Sequence, residues 1–119
     1  MAKVMIVDDD RITVTLLQTL LSLDGFEVVV VSRGGEVLAA AQRERPDIFM
    51  IDYNLIDITG IQVIKELRAQ TEFAKTPILM VSGMNVEDEA LKVGASVFLV
   101  KPFEPAKLAG LFTQLLSGR

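Results

Sequence analysis

Short apolar runs alternate with longer amphipathic stretches along the whole chain. Five runs of four or five residues predict strands over Lys3–Val7, Glu27–Val31, Ile48–Ile51, Pro77–Val81 and Val97–Val100. Between them, Ile12, Leu16, Leu17, Leu20, Leu21 and Leu23 recur at helical spacing. So do Val37, Leu38 and Ala41, then Ile61, Val63, Ile64 and Leu67, and finally Leu108, Leu111, Phe112, Leu115 and Leu116. Turn residues agree with this division. Asp24-Gly25 closes the first helix, Pro46 blocks continuation of the second, and Gly60 opens the third. Gly94 ends a short fourth helix, and Pro105 stands just inside the fifth, where its missing N–H costs nothing.

Strands that are apolar throughout are buried on both faces, as in parallel sheets covered by helices. Five such strands alternating with five helices predict an α/β fold with a doubly wound parallel sheet. The order 2-1-3-4-5, flavodoxin-like, is the smallest arrangement with a switch point, which falls between strands 1 and 3. No linker, repeat or low-complexity tract interrupts the pattern, so residues 1–119 are expected to form a single domain.

The polar residues that end the strands carry the chemistry. Val4–Val7 runs into Asp8-Asp9-Asp10, Ile48–Ile51 into Asp52, Ile78–Val81 into Ser82, and Val97–Val100 into Lys101-Pro102. Ligands of such sheets bind outside the carboxyl ends of the strands, so these groups should share one edge. Close carboxylates repel by roughly 4 kcal/mol per pair at an effective dielectric near 20. A divalent cation among them removes that cost. On this reading Asp9 binds the ion directly, Asp8 directly or through water, and Asp10 begins the loop or caps the first helix. Asp52 stands alone at the centre of the edge, where a carboxylate can attack phosphorus. Lys101 offers a cation and Ser82 a hydroxyl for the phosphoryl oxygens.

Composition narrows the ion. The chain has no histidine and no cysteine, which leaves a hard cation held by oxygen: magnesium, manganese or calcium, with magnesium favoured. Disulfides and thiolate catalysis are excluded. A net charge of −4 with no basic block argues against direct nucleic-acid binding. The apolar run in MAKVMIV is too short for a signal peptide or a membrane span, and the default compartment is the cytoplasm.

The motifs VMIVDDD, FMIDYNL, LMVSG and FLVKPF together resemble a receiver domain of two-component response regulators, over essentially all of the chain. The resemblance implies that Asp52 accepts a phosphoryl group from a sensor histidine kinase or a histidine phosphotransfer protein. It implies magnesium held by Asp8, Asp9, Asp52 and the backbone carbonyl of Asn54. Ser82 matches a switch hydroxyl, Lys101 the lysine that pairs with phosphoryl oxygens, and Phe98 an aromatic that rotates inward when Ser82 is drawn to the phosphoryl group. The Lys101–Pro102 bond matches one that is usually cis. The output would pass to a downstream protein or effector domain, and the face of helix 4, strand 5 and helix 5 would serve that contact or a homodimer. Ile56 and Thr59 stand where members often have proline and aspartate, and apolar Met84 where many are polar. The stretch from Ser82 to Lys101 is roughly three residues shorter than usual, nearly one helical turn. Two other functions share parts of this pattern: a carboxylate-nucleophile phosphatase, and an interaction module of the same fold that does not signal by phosphate.

Overall fold

The computed structural model describes residues 1–118. Five strands, β1 (Lys3–Val7), β2 (Glu27–Val31), β3 (Ile48–Asp52), β4 (Ile78–Ser82) and β5 (Val97–Val100), form one sheet. They alternate with α1 (Arg11–Leu23), α2 (Val37–Glu44), α3 (Gly60–Arg68), α4 (Glu87–Lys92) and α5 (Leu108–Ser117). Single 3-10 turns precede α2 and α5 and follow α3. Every strand pair is parallel, and the order is β2-β1-β3-β4-β5.

Side-chain alternation divides the interior between the two faces of the sheet. Met5, Val7, Phe49, Ile51, Ile78 and Met80 pack with Val37, Ala41, Val63, Ile64, Leu67 and Ala90 of α2, α3 and α4. Val4, Ile6, Ile48, Met50, Leu79 and Val81 pack with Leu17, Leu21, Leu108 and Phe112 of α1 and α5. The central strands β3 and β4 are buried along their whole length. Each fully buried Leu, Ile or Phe contributes about 1.5–3 kcal/mol, so burial of this double core drives the fold.

Three details differ from the sequence expectation. The fourth strand begins at Ile78 rather than Pro77. Proline has no N–H for the ladder, though its carbonyl accepts from Phe49 N at 3.0 Å. β3 and β4 each extend through their polar end residue, with Asp52 in register with Val81 and Ser82 with Val100. The apolar stripe of α1 is only half buried. Leu17 and Leu21 face the sheet, whereas Ile12 (83% exposed), Leu16 (49%) and Leu23 (79%) face outward.

Local caps set where helices begin and end. The Asp10 carboxylate accepts from Ile12 N at 3.1 Å and from the Thr13 hydroxyl at 2.8 Å, starting α1. Thr59 Oγ1 accepts from Gln62 N at 3.3 Å, starting α3. Gly25 (φ +91) and Gly94 (φ +115) take left-handed positions after α1 and α4. After α2 the left-handed residue is Arg45 (φ +53), with Pro46 next.

Candidate functional site

The parallel register brings the polar strand ends to the same edge. Oxygens of Asp8, Asp9 and Asp52 all lie within 4.8 Å of one another, a set that could hold a metal ion. Asp8 and Asp52 are buried (4% and 6% exposed), and Asp9 is half-buried. Lys101 reaches in from the end of β5, its Nζ 3.2 Å from Asp52 Oδ1. Ser82 is fully buried at the end of β4, and its Oγ accepts from Met84 N at 3.1 Å.

Burial shapes the electrostatics. Desolvation pushes the Asp8 carboxyl above its ordinary value, and nearby Asp52 and Asp9 push the same way. The Asp10 N–H, at 2.9 Å from Asp8 Oδ1, and Lys101 offset part of this. Asp52 is also raised, chiefly by desolvation, against the pull of Lys101 and of the Asn54 N–H. Asp10 is lowered instead, first by the Thr13 hydroxyl. The ionised forms of two buried carboxylates are therefore costly as they stand. A hard cation held by oxygens fits this donor set, since it relieves that cost and needs neither imidazole nor thiolate.

Other predicted residues fall around this centre. Asn54 lies two residues beyond Asp52, in a loop closed by its bridge to Thr59. Phe98 is 8% exposed and belongs to the core beside α3 and α4. The Lys101–Pro102 bond is cis. Met84 is exposed just past Ser82. The fourth helix has six residues, in keeping with the shortened segment.

Sequence reasoning missed three contributors. Tyr53, adjacent to Asp52, faces the Glu89 carboxylate with its hydroxyl, which raises the phenol's pKa. The Arg68 guanidinium donates to the carbonyls of Gly94, Phe73 and Thr76 at 2.7–3.0 Å, tying the end of α3 to the turn after α4. The Asp57 carboxylate accepts from Gly34 N and Gly35 N at 2.9 and 2.8 Å. These pairings lie 5 to 36 residues apart in the chain, where no local motif signals them.

The family description "Response regulator receiver domain" matches residues 4–112. The chain belongs to this family. The receiver domain is 38% identical over 109 residues to the alkaline phosphatase synthesis transcriptional regulatory protein PhoP of Bacillus subtilis (strain 168), covering 89% of this chain and 45% of that protein. It is 35% identical to the transcriptional regulatory protein PrrA of Mycobacterium tuberculosis, covering 98% and 51%. The chain thus spans about half the length of the curated relatives it matches. Among solved structures, chemotaxis response regulator CheY4 of Vibrio cholerae superposes with a TM-score of 0.90 at 36% identity, covering 97% of this chain and 98% of the other. The receiver domain of sensor histidine kinase PA1611 from Pseudomonas aeruginosa, with a magnesium ion coordinated in its active site cleft, gives 0.88 at 25% identity and covers 98% of each chain. A receiver domain is a signalling domain of two-component systems rather than a conventional enzyme. Among the described residues no helix is long and apolar enough to cross a membrane.

Proposed function

We propose that this receiver domain is a phosphorylation-dependent switch whose phosphoacceptor is Asp52, and that residues 1–119 act as one unit. The observation that carries the reading is the surplus of carboxylates at the strand ends: three of them, two buried, with oxygens within 4.8 Å and faced by Lys101. An Asp52 oxygen forms a bond to phosphorus while the bond from phosphorus to the donor breaks, leaving an acyl phosphate. The donor is a phosphohistidine of a sensor kinase or phosphotransfer protein, and its imidazole departs. No general base is needed, because the attacking group is the carboxylate itself.

Each neighbouring residue then has one task. Lys101 transfers its ion pair from the carboxylate to a phosphoryl oxygen. Ser82 Oγ already accepts from Met84 N, so its own hydrogen is free to donate to another phosphoryl oxygen. Asp8, Asp9, Asp52 and the Asn54 carbonyl would hold magnesium or manganese. When bound, that ion supplies positive charge against the phosphoryl oxygens. Exposed Met84 beside Ser82 limits polar contacts to attacking water and sets the lifetime of the acyl phosphate.

The kinase partner has to dock beside the carboxylates, where α1 presents exposed Ile12 and Leu16. Output leaves by a protein contact on α4, β5 and α5, to a downstream protein, an effector domain or a second copy. That face carries exposed Leu91 and Val100 and an apolar hollow of about 520 Å³ lined by Leu99, Phe103 and Leu111.

The test is intact-mass measurement after treatment with a small acyl or amido phosphate and magnesium. The wild-type chain gains one phosphoryl group and Asp52→Asn gains none. Equal gain by both chains defeats the reading. Rapid multiple turnover of free phosphomonoesters would favour the carboxylate-nucleophile phosphatase instead.

A further inference from the structure

We infer that Asp57 is a positioning residue for the cation site, acting as a latch between the loop that carries Asn54 and the turn after β2. This rests on reading Asp8, Asp9, Asp52 and Asn54 as the residues that hold the ion. The loop of residues 53–59 leaves β3 at the site and returns as α3. Its base is closed by the Asn54–Thr59 bridge and by Gly60 N donating to the Tyr53 carbonyl at 2.8 Å. No proline stiffens these seven residues. What fixes the far end is tertiary: Asp57 Oδ1 accepts from Gly34 N at 2.9 Å and Oδ2 from Gly35 N at 2.8 Å.

Both carboxylate oxygens are engaged, so the orientation of the group is set as well as its distance. The two donors open the 3-10 turn leading into α2, where N–H groups lack partners within the turn itself. The turn is shaped to receive the loop. A Cβ on Gly34 would lie 2.6 Å from Ile58 Cγ1 and 2.9 Å from Val63 Cγ2, and one on Gly35 would lie 3.1 Å from Asp57 Oδ2. Two adjacent residues without side chains let the loop come this close. A loop closed at its base and pinned beyond its tip cannot freely turn the carbonyl of Asn54, three residues before the pin. Asp57 thereby orients a ligand of the cation without touching the cation.

A cap for the turn into α2 would show the same two hydrogen bonds, so the experiment must separate positioning from plain stability. Tyr53 is the only tyrosine and there is no tryptophan, so ultraviolet-excited emission reports from the residue next to Asp52. Magnesium is titrated by this signal into wild type, Asp57→Ala and Asp57→Asn, with thermal unfolding recorded in parallel. Asp57→Asn removes the charge but keeps one acceptor oxygen. The expected result is a magnesium Kd about tenfold weaker for Asp57→Ala, the scale of losing an outer support at a metal site. Asp57→Asn should fall between it and wild type, and amide exchange at Gly34 and Gly35 should quicken in Asp57→Ala. The latch is overturned if Asp57→Ala binds magnesium as wild type does while unfolding earlier, or if both variants weaken binding equally. A wild-type chain that does not respond to magnesium overturns the reading of the site, and the latch with it.

Discussion

Each end of the sheet sets one lysine among three carboxylates, with opposite consequences. At the amino end, Lys3 Nζ lies 3.6 Å from Glu27 and 3.5 Å from Glu44, and donates to the Glu44 carbonyl at 2.8 Å. Asp47 accepts from the Lys3 backbone N–H at 2.8 Å. The side chains of Glu27 and Glu44 stay 54% and 32% exposed, so water absorbs the surplus charge. At the carboxyl end Asp8 and Asp52 are buried, and their oxygens and those of half-buried Asp9 converge in one cluster. There only a cation or a proton can absorb the surplus charge. Residue types alone do not make the site; burial and convergence do.

The sharpest way to break the comparison is to remove carboxylates in pairs. Asp8→Asn with Asp9→Asn should abolish the rise in Tm that magnesium gives, a loss of affinity beyond the roughly 10–100-fold typical of outer-shell changes. Glu27→Gln with Glu44→Gln should leave that rise intact. Next come the lysines. Lys101→Ala should slow phosphoryl uptake from a small donor by about 100-fold, the scale of losing one preorganised charge at a transition state. Lys3→Ala should leave the initial rate of mass gain unchanged.

Stability gives smaller effects of opposite sign. In magnesium-free buffer Asp52→Asn should raise Tm by roughly 3–5 °C, equivalent to about 1 kcal/mol in a domain of this size. The raised pKa values of Asp8 and Asp52 mean that each favours the folded chain while protonated. That contribution is whole below the unfolded-state pKa and is lost as pH rises through the folded one. The gain of Asp52→Asn over wild type should therefore shrink as the pH is lowered from about 7 to about 4. At the amino end, Lys3→Ala should cost only about 1 kcal/mol in urea unfolding, because its ion-pair partners Glu27 and Glu44 both keep contact with water.

Much of this was legible in the sequence because the signals are local. An apolar run with one polar residue after it marks both a strand and what the strand delivers, as Ile48–Ile51 does for Asp52. Asp10, Gly25 and Gly94 announce their helix ends by side-chain chemistry or left-handed backbone. The seven apolar residues of α1 show the limit. They cover more than one face, and only the packed structure shows that Leu17 and Leu21 face inward while Ile12 and Leu23 do not. Arg45 gave no sign of its left-handed backbone, since arginine has no preference for it. The bonds of Asp57 and Arg68 are tertiary, so spacing along the chain carries no trace of them.

Gly60 has a consequence of another kind. A Cβ there would press on the Asp52 carbonyl oxygen and lie 2.8 Å from Met80 Cε. Any replacement would wedge the start of α3 away from the strand that carries Asp52. Every missense change in that one codon adds a Cβ, however small the new side chain. Sequence drift can rewrite the exposed loops on either side, but at residue 60 a lineage has no neighbouring step to take without shifting the backbone beside Asp52.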